Sequence, residues 1–346
     1  MSNMRIFNAY KRFSDRTSED SSYADVTFFV SEVVDWYHDC RRAAPTVPSK
    51  DYTCAYDFFP HKGFRSVIHR GVSNYLRAHG YFPNFRQADD FMAMNMLHAM
   101  IMPVHHLNPA DKLNVGHYIP QHLRDKLRPP EVHRVFEDPS EVSLEGLPKG
   151  SYFIKSNHGS KQLKHLDLRE GTSHVDVDEL SGKTEKWCEK PFGTSSCQWW
   201  YQAIDRKVFI EEDLRKDDFS EPLADLRFHC INGKVAFLQY DVGLGTDHRE
   251  NPLYDADLNY MPYSMVRPNR REHDLPKQAG LARDLAAEIC KPFQYVRVDI
   301  YAQGDELFMG ELTFLPNAGR RPVRSKALNE MLSGFWDPMP QILRVD

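Results

Sequence analysis

The chain has 346 residues, of which 41% are apolar and 27% charged, and its formal net charge at pH 7 is −5. This length and apolar content are sufficient for a large core and for more than one lobe, so we expect a soluble globular protein. The negative net charge argues against nucleic acid as a partner, because general nucleic-acid binding requires a basic surface.

Hydropathy and cysteine usage predict the compartment. No run of about eighteen apolar residues occurs, and the N-terminal segment lacks the apolar core of a signal peptide. We therefore expect a cytoplasmic protein with no stable membrane insertion. The six cysteines form neither a Cys-x-x-Cys pair nor a zinc-type pattern with histidine, which predicts reduced and mostly buried thiols.

Residues 1–105 are predicted to be a largely helical N-terminal region without a catalytic motif. Apolar residues recur at three- and four-residue steps in 23–40 and again in 65–78, where Gly80 ends the second helix. The segment 90–102 is rich in Met and Ala, which favours a mostly buried helix. His105-His106 is only an unsupported hint of metal ligation.

Residues 106–212 are predicted to form the first of two lobes. Pro109 is predicted to begin a helix that carries Asp111-Lys112 in its first turns. A lone Asp-Lys pair is commonplace and indicates no function by itself. Residues 126–150 are rich in proline and charge, and we interpret them as a linker into a new sheet.

Two predicted strands in this lobe end in polar residues. The strand 152–155 ends at Lys155 and runs into a small loop at 156–160, whose backbone N–H groups could close over a phosphate beside the lysine charge. We interpret His158 in this loop as a residue without substrate contact. The strand 208–214 breaks into Glu211-Glu212, and such a pair taken alone is usually a solvated turn.

Residues 213–346 are predicted to form the second lobe. Residues 225–238 alternate on both sides of Asn232-Gly233, a pattern typical of a tight β-hairpin. The second strand leads into a long loop that contains His248 and Arg249. A helix with one apolar face is predicted near 281–289, ended by Pro292.

A second hairpin makes the clearest chemical demand. Residues 296–301 and 308–315 have the period of strands, and Gly304-Asp305 supplies a turn. We expect Asp299 and Glu311 to lie opposite or diagonal on one face, which Arg297, Tyr301 and Thr313 share. Like charges placed this way are destabilising, so a magnesium ion between them is one interpretation. The alternative is a surface hairpin with two solvated acids.

Three arginines, Arg320, Arg321 and Arg324, follow this hairpin. They are well placed to bind a carboxylate bidentately, although a solvated basic tail is the alternative.

The order of these motifs resembles that of the ATP-grasp ligases. In that superfamily an Arg-x-Asp strand and a Glu-x-Asn-x-x-Pro strand hold two magnesium ions against ATP, and here Arg297-x-Asp299 is followed by Glu311-x-Thr313 and Leu315-Pro316. The segment is most similar to the TupA-like branch, which commonly reads RVDLY and FGELTF and shares the threonine. The resemblance implies an α+β fold of the ATP-grasp type, in which two lobes clamp ATP behind the helical N-terminal region.

The resemblance also implies a role for each matching residue. Towards ATP it implies that Lys112, Lys155 and Ser160 contact the phosphates, that Glu211 and Glu212 lie beside adenine, that Asp225 binds the ribose, and that Arg227 reaches the terminal phosphates. Towards magnesium it implies the ligands Asp299 and Glu311, with the third position open to Thr313, Asn317 or water. Arg297 is expected to stabilise an acyl phosphate, with Lys155 and Arg227 as further catalytic groups. His248, Arg249, Arg320 and Arg321 are expected at the substrate.

Two positions depart from the TupA-like pattern. Lys161 stands where the family tends to have a second glycine in the loop, and Val242 follows Asp241 where an arginine is usual. The first departure affects the flexibility of the loop at 156–160. The second suggests that the loop containing Arg249 recognises a different substrate.

The reaction implied by the resemblance is ligation of a carboxylate to an amine through an acyl phosphate, with ATP and Mg²⁺ as cofactors. The TupA-like branch suggests a uronic acid of an envelope or capsular polysaccharide, or its precursor, as one substrate and an amino acid as the other. A homodimer is possible under this hypothesis. A glycosyltransferase of polysaccharide biosynthesis and a non-catalytic ATP-binding module are the alternatives.

Overall fold

The computed structural model describes residues 30–35, 51–83, 90–172, 174–215, 223–243, 247–265 and 267–336. Within these residues the strands form three sheets whose neighbouring strands all pair antiparallel. The smallest sheet joins β1 (Tyr52–Thr53) to β2 (Val104–His105). No helix in the described part of the chain is long and apolar enough to span a membrane.

The described residues of the N-terminal region are largely helical, as the sequence predicts. Its helices are α1 (Ala55–Phe58), α2 (His61–His79) and α3 (Phe91–Ile101). Gly80 ends α2 with a φ of 85°, a left-handed conformation that glycine adopts without a Cβ clash. Of the helix predicted over 23–40, residues 30–35 are helical and the remainder lies outside the described residues.

The four-stranded sheet lies within residues 106–212 and has the order β3-β6-β4-β5. Its strands are β3 (Val132–Phe136), β4 (Ser151–Ser156), β5 (Leu163–Asp167) and β6 (Val208–Glu212). Helix α4 (Val177–Cys188) packs on it, and Leu180 joins Ile154, Leu166 and Ile210 in a small separate core. The strands predicted near 152–155 and 208–214 are therefore confirmed.

Two predictions for this lobe were wrong. Residues 126–150 are not only a linker, because they contain β3; this strand buries only Phe136, so its apolar pattern is weak and its pairing with β6 forms it. No α-helix begins at Pro109: residues 109–114 form turns that lead into a 3-10 helix, Val115–Tyr118. The Asn108 and Asp111 side chains accept hydrogen bonds from the Ala110 and Leu113 N–H groups, which favours turns over a helix.

The six-stranded sheet lies within residues 213–346 and has the order β10-β9-β8-β7-β11-β12. Its strands are β7 (Ala224–Ile231), β8 (Lys234–Asp241), β9 (Leu253–Asp255), β10 (Tyr260–Met261), β11 (Tyr295–Gln303) and β12 (Glu306–Thr313). Asn232 and Gly233, with φ of 51° and 70°, make the predicted tight turn between β7 and β8.

The two faces of this sheet differ in character. Helix α5 (Ala279–Ile289) covers one face, where its Leu285 and Ile289 join Phe228 and Val298 in the main core. Alternate residues of β7 and β11 point to the opposite face, which carries Arg227 and Asp299. This polar face carries the candidate site.

The last helix of the described residues, α6 (Lys326–Ser333), is capped by Ser325, whose hydroxyl accepts a hydrogen bond from the Leu328 N–H.

Helix α3 is buried along its whole length, as its Met- and Ala-rich sequence predicts. It carries two polar side chains into the core, Asn95 and His98. The His98 ring packs 6.4 Å from the Tyr295 ring and 6.1 Å from the Trp336 ring, between centroids. Burial lowers the pKa of His98 from 6.5 to about 3. In the native protein this histidine is therefore neutral.

His98 predicts a loss of stability in acid. Between pH 6.5 and 3 the unfolded chain binds a proton at this histidine and the native protein does not, so stability falls as the pH falls. From pH 7 to pH 5 we expect His98 to lower the free energy of unfolding by about 2 kcal/mol. Urea denaturation at both values should show a smaller decrease for His98→Asn than for the wild type. An unchanged decrease would contradict the prediction, and His122→Asn, at an exposed position, is the control.

Candidate functional site

Asp299 and Glu311 lie directly opposite each other on β11 and β12. A β-bulge is responsible for this pairing. From the Gly304 turn the register runs regularly to Ile300 paired with Met309, and then shifts so that Asp299 pairs with Glu311. A regular hairpin continued from that turn would place Gly310 opposite Asp299 and turn Glu311 to the other face. The shared face was predicted correctly, but the bulge that creates it was not.

Gly310, the extra residue at the bulge, gives a test of this geometry. A Cβ at residue 310 would lie 2.8 Å from Tyr301 Cε2 and 3.1 Å from the Asp299 carbonyl oxygen. Gly310→Ala should therefore destabilise the protein by about 1–3 kcal/mol and displace Glu311 from Asp299. Urea denaturation and a crystal structure of the variant measure both effects. Gly280→Ala, where a Cβ meets nothing within 4 Å, is the control, and equal stabilities would contradict the assignment.

Arg297 connects the two carboxylates. Its guanidinium donates to both oxygens of Asp299, with Nε 2.6 Å from Oδ1, and Nη2 lies 3.1 Å from Glu311 Oε1 and 3.2 Å from Thr313 Oγ1. The Thr313 hydroxyl donates to the same Glu311 oxygen at 3.1 Å. The face therefore holds a compact Arg-Asp-Glu-Thr cluster in which every side chain contacts another.

The two carboxylates differ in environment. The Asp299 side chain is 3% exposed and that of Glu311 is 39% exposed. Burial raises the pKa of Asp299, Glu311 raises it further, and the guanidinium of Arg297 opposes both. Burial would also raise the pKa of Glu311, but the charges of Arg297 and Lys112 outweigh it, so that pKa is lowered. Two carboxylates that face each other across neighbouring strands repel, and a nearby cation reduces this repulsion.

A second ion-pair cluster continues the polar face across β7 and β8. Arg227 donates to Asp225, approaches Asp241 with Nη2 2.9 Å from Oδ2, and has Nε 3.9 Å from Asp299 Oδ2. Arg249 binds the same Asp241, with Nε 2.6 Å from Oδ1. An arginine therefore pairs with Asp241 although Val242 follows it, because the bridge between Val242 and Glu250 brings the loop back to β8.

A cavity of about 410 Å³ lies between the four-stranded sheet and β12. One part of its wall is apolar and another part is charged. The apolar lining includes Val115, Ile119, Leu127, Pro129, Pro130 and Val132. The charged lining includes Lys112, Lys155, Glu211 and Glu311. A ligand with an apolar or aromatic part and an anionic part matches this wall.

The two cavity lysines are held by different partners. Lys155, on β4, is ion-paired with Glu211 on β6. Lys112 donates from Nζ to the Gly159 carbonyl at 2.5 Å, in the turn between β4 and β5. Burial lowers the pKa of Lys112, although the nearby Glu311 opposes the shift. An arriving anion would meet both ammonium groups inside one cavity.

Other predicted site residues lie elsewhere. Glu212 points away from Glu211 and accepts from Arg128 and from the Glu131 N–H at 2.7 Å. Ser160 is exposed in the β4–β5 turn, and Lys161, which stands where the resemblance predicts a glycine, has a φ of 63°, in the left-handed region that favours glycine. His158 is buried and lies 3.2 Å from the Trp187 carbonyl, consistent with a residue without substrate contact.

The remaining predicted residues lie on the surface after the two hairpins. His248, Asn317, Arg320 and Arg321 are exposed, and none of them lines the cavity. Asn317 and Ala318 both have left-handed backbone angles, with φ of 52° and 53°. This turn follows β12 and directs the chain towards Arg320.

Arg128 is a cavity residue that sequence reasoning missed. Its guanidinium lies 4.4 Å from the centroid of the Phe308 ring on β12 and is ion-paired with Glu212 on β6. Its carbonyl accepts from the Met309 N–H at 2.8 Å. Arg128 therefore joins the two sheets at the cavity wall. It falls in the segment interpreted as a linker, and nothing in the local pattern reveals a partner so distant in sequence.

Magnesium and ATP fit the residues present. No group of three or more His, Cys, Asp or Glu side chains in the described part of the chain is arranged to hold a metal ion. His105 and His106 therefore belong to no such group. Mg²⁺ is commonly bound by one or two carboxylates together with substrate phosphates, so a two-carboxylate set is sufficient when a nucleotide supplies the rest. Asp299 and Glu311 form such a set, and Glu311 lines the same cavity as Lys112 and Lys155.

Comparison with known proteins gives one family. The family model described as TupA-like ATPgrasp matches residues 92–335. A search of curated proteins finds no match.

Solved structures similar to the chain include the ATP-grasp ligase PsnB complexed with minimal precursor (16% identity, TM-score 0.34, 64% of this chain and 59% of that chain). D-alanine–D-alanine ligase from Bacillus anthracis complexed with ATP is similar at 15% identity and a TM-score of 0.35, over 60% of this chain and 55% of that chain. D-Ala-D-Ala ligase from Helicobacter pylori is similar at 9% identity and a TM-score of 0.37, over 67% of this chain and 60% of that chain. The chain thus spans less than two thirds of each of these structures.

Proposed function

Because the chain belongs to the TupA-like ATP-grasp family, we propose that it is an ATP- and Mg²⁺-dependent ligase that joins a carboxylate to an amine. The observation that carries the proposal is the pairing of Asp299 with Glu311 beside a cavity that contains Lys112 and Lys155. That combination provides ligands for a dication and positive charge for phosphates, next to an apolar wall suited to a base.

Different residues are assigned to the base, the phosphates and the ribose of the nucleotide. The apolar wall from Val115 to Val132 packs on the base, and Glu211, a hydrogen-bond acceptor in the same lining, contacts its edge. Lys112 and Lys155 bind phosphate oxygens, with Ser160 in the adjacent turn. Asp225, 3% exposed on the polar face, is the proposed ribose ligand. Glu212 takes part through Arg128, whose guanidinium it holds at the cavity wall.

The polar face of the six-stranded sheet supports the chemistry. When bound, Mg²⁺ neutralises the charge that develops on the transferred phosphoryl group. Asp299 and Glu311 would hold the metal, with Thr313, Asn317 or water completing its shell. Arg297 and Arg227 stabilise the acyl phosphate that forms when a carboxylate oxygen attacks the γ-phosphorus, while the bond from that phosphorus to the β–γ bridging oxygen breaks and ADP leaves. A neutral amine then attacks the acyl carbon, the bond from that carbon to the phosphate oxygen breaks, phosphate leaves, and loss of the amine proton to solvent gives the amide.

The acid is proposed to be a uronic acid of a capsular or envelope polysaccharide or its precursor, and the amine an amino acid. The support for this substrate class is the resemblance to the TupA-like branch together with the arginines available for a carboxylate. Arg249, held on Asp241, lies on the same face as Arg227. His248, Arg320 and Arg321 are the exposed candidates for contacts with the larger parts of the substrate.

A substrate panel tests the proposal. The purified protein is incubated with MgATP and each pair from a panel of uronic acids and amino acids, and ADP, phosphate and product mass are recorded. We expect ADP release that requires one acid and one amine, with a product whose mass equals their sum minus water. Turnover of a nucleotide sugar without ATP would contradict the proposal and favour the glycosyltransferase. MgATP binding without ADP release across the panel would favour a non-catalytic module.

A further inference from the structure

Asn157 lies at the junction of the two segments that carry the cavity lysines. It follows β4, two residues after Lys155, and it is 0% exposed. Its carbonyl accepts from the Lys112 N–H at 3.1 Å. The backbone of one lysine is therefore hydrogen-bonded to the strand end that carries the other.

The Asn157 carboxamide is bonded at both ends. Nδ2 donates to Asp111 Oδ2 at 3.0 Å and to the Asp205 carbonyl at 2.9 Å, and Oδ1 accepts from the Lys207 N–H at 2.9 Å. Two acceptors on one side and a donor on the other fix the orientation of the amide. Neither a carboxylate nor an apolar side chain of the same size can make these three bonds.

The partners of Asn157 all lead to the cavity. Asp111 immediately precedes Lys112, and residues 205–207 lead into β6, which carries Glu211. Lys112 is also held at its other end, because its Nζ donates to the carbonyl of Gly159, two residues after Asn157. The lysine is thus fixed at its backbone and at its ammonium by the same turn.

We propose that Asn157 is a positioning residue that sets the separation of Lys112 and Lys155, and so the fit of the cavity to a nucleotide polyphosphate. The inference rests on the proposed function. Asn157 itself does not line the cavity. It acts through the Lys112 backbone, through the carboxylate of Asp111 and through the strand end that bears Lys155.

Asn157→Asp is the sharpest variant. It keeps the size of the side chain but places an oxygen against Asp111 Oδ2 and the Asp205 carbonyl, so two attractive contacts become repulsive. A displacement of about 1 Å at a phosphate-binding lysine can lower a rate about 100-fold, and we expect the affinity for MgATP to fall at least about 10-fold. Asn114→Asp is the matched control, because it makes the same change in the turn that carries Lys112, where Asn114 Nδ2 donates to the Asn108 carbonyl at 3.3 Å.

Two measurements on each folded variant test the proposal. The affinity for MgATP is measured by isothermal titration calorimetry, and the stability is measured by urea denaturation. A weaker affinity for Asn157→Asp at unchanged affinity for Asn114→Asp supports the proposal. Reduced stability with wild-type affinity in the folded fraction would overturn it and leave a structural role. Failure of the wild type to bind MgATP would overturn the proposed function instead, together with this inference.

A second measurement uses the wild type and therefore tests the proposal even if Asn157→Asp does not fold. Hydrogen exchange of the wild type reports on the Lys112 and Lys207 amides, which both donate to Asn157. The proposal predicts slow exchange of both amides without nucleotide and a further, parallel slowing with MgATP. Fast exchange of the Lys112 amide, or a nucleotide effect on neither amide, would overturn it.

Discussion

Asp299→Asn and Glu311→Gln are each expected to lower ATP-dependent turnover at least about 100-fold while the fold remains. Each substitution removes a ligand charge and almost no volume. Arg297 keeps Glu311 and Thr313 as partners when Asp299 is changed, and keeps Asp299 when Glu311 is changed. The loss should therefore lie in metal binding and catalysis. It is measured as the rate of ADP release and as the affinity for ATP with and without Mg²⁺.

Asp305→Asn, in the turn of the same hairpin, is the control for these variants. Asp305 lies outside the cavity lining. This variant should leave turnover unchanged. Wild-type turnover in Asp299→Asn or Glu311→Gln would rule out the metal assignment. A reduced affinity for ATP that is the same with and without Mg²⁺ would favour a role of the two acids in holding Arg297 instead of a metal ion.

Lys112→Ala and Lys155→Ala are expected to lower kcat/KM by about 100- to 1000-fold each, as removal of one positioned charge commonly does. The two variants should differ in stability. Lys155→Ala leaves the buried Glu211 carboxylate without its ion-pair partner, whereas Lys112→Ala removes a bond to a carbonyl. We therefore expect a lower urea midpoint for Lys155→Ala than for Lys112→Ala.

Lys164→Ala, on β5 beside Glu179, is the control for the two cavity lysines. It should leave kcat/KM unchanged. A lower urea midpoint without any change in nucleotide affinity would show that Lys112 or Lys155 only stabilises the fold.

Local sequence patterns predicted those strands and helices whose residues carry the signal themselves, whereas β5, α4 and α6 were not predicted. Asn232-Gly233 predicts a tight hairpin from its own backbone preferences, and the apolar face of 281–289 predicts α5 from its own spacing. β3 was missed because it buries a single side chain and depends on pairing with β6. The helix expected at Pro109 was wrong because Asn108 and Asp111 bond to nearby N–H groups instead.

The candidate site was only partly predictable for a related reason. The resemblance named Lys112, Lys155, Glu211 and Glu311, which line one cavity, but it also named Glu212, which does not. The bulge at Gly310 decides which face Glu311 takes; the sequence prediction placed Glu311 on the correct face but did not predict the bulge that puts it there. Arg128 contacts Glu212 and Phe308, which are far from it in sequence, so only the folded chain reveals its position.

The resemblance assigned Arg297 to the acyl phosphate and Asp299 to the metal, but in the fold the two side chains are hydrogen-bonded to each other. The guanidinium contacts both Asp299 oxygens, so a metal ion at Asp299 must share that carboxylate with Arg297 or displace it. Sequence order cannot predict this competition, because the two residues are neighbours on one strand face and could equally have turned to separate partners. If the proposed metal binds at Asp299, we expect its affinity to depend on Arg297, whose proposed role is at the acyl phosphate.

Transfer of oxygen-18 from the acid to phosphate shows whether ATP activates the carboxylate. The acid that supports ADP release is labelled in its carboxylate, the reaction is run with MgATP and the amine, and the inorganic phosphate is examined by mass spectrometry. We expect one labelled oxygen in each phosphate released, because the attacking carboxylate oxygen becomes the bridge to phosphorus and leaves with it. Unlabelled phosphate, in a reaction that still yields ADP and amide, would contradict carboxylate activation by ATP.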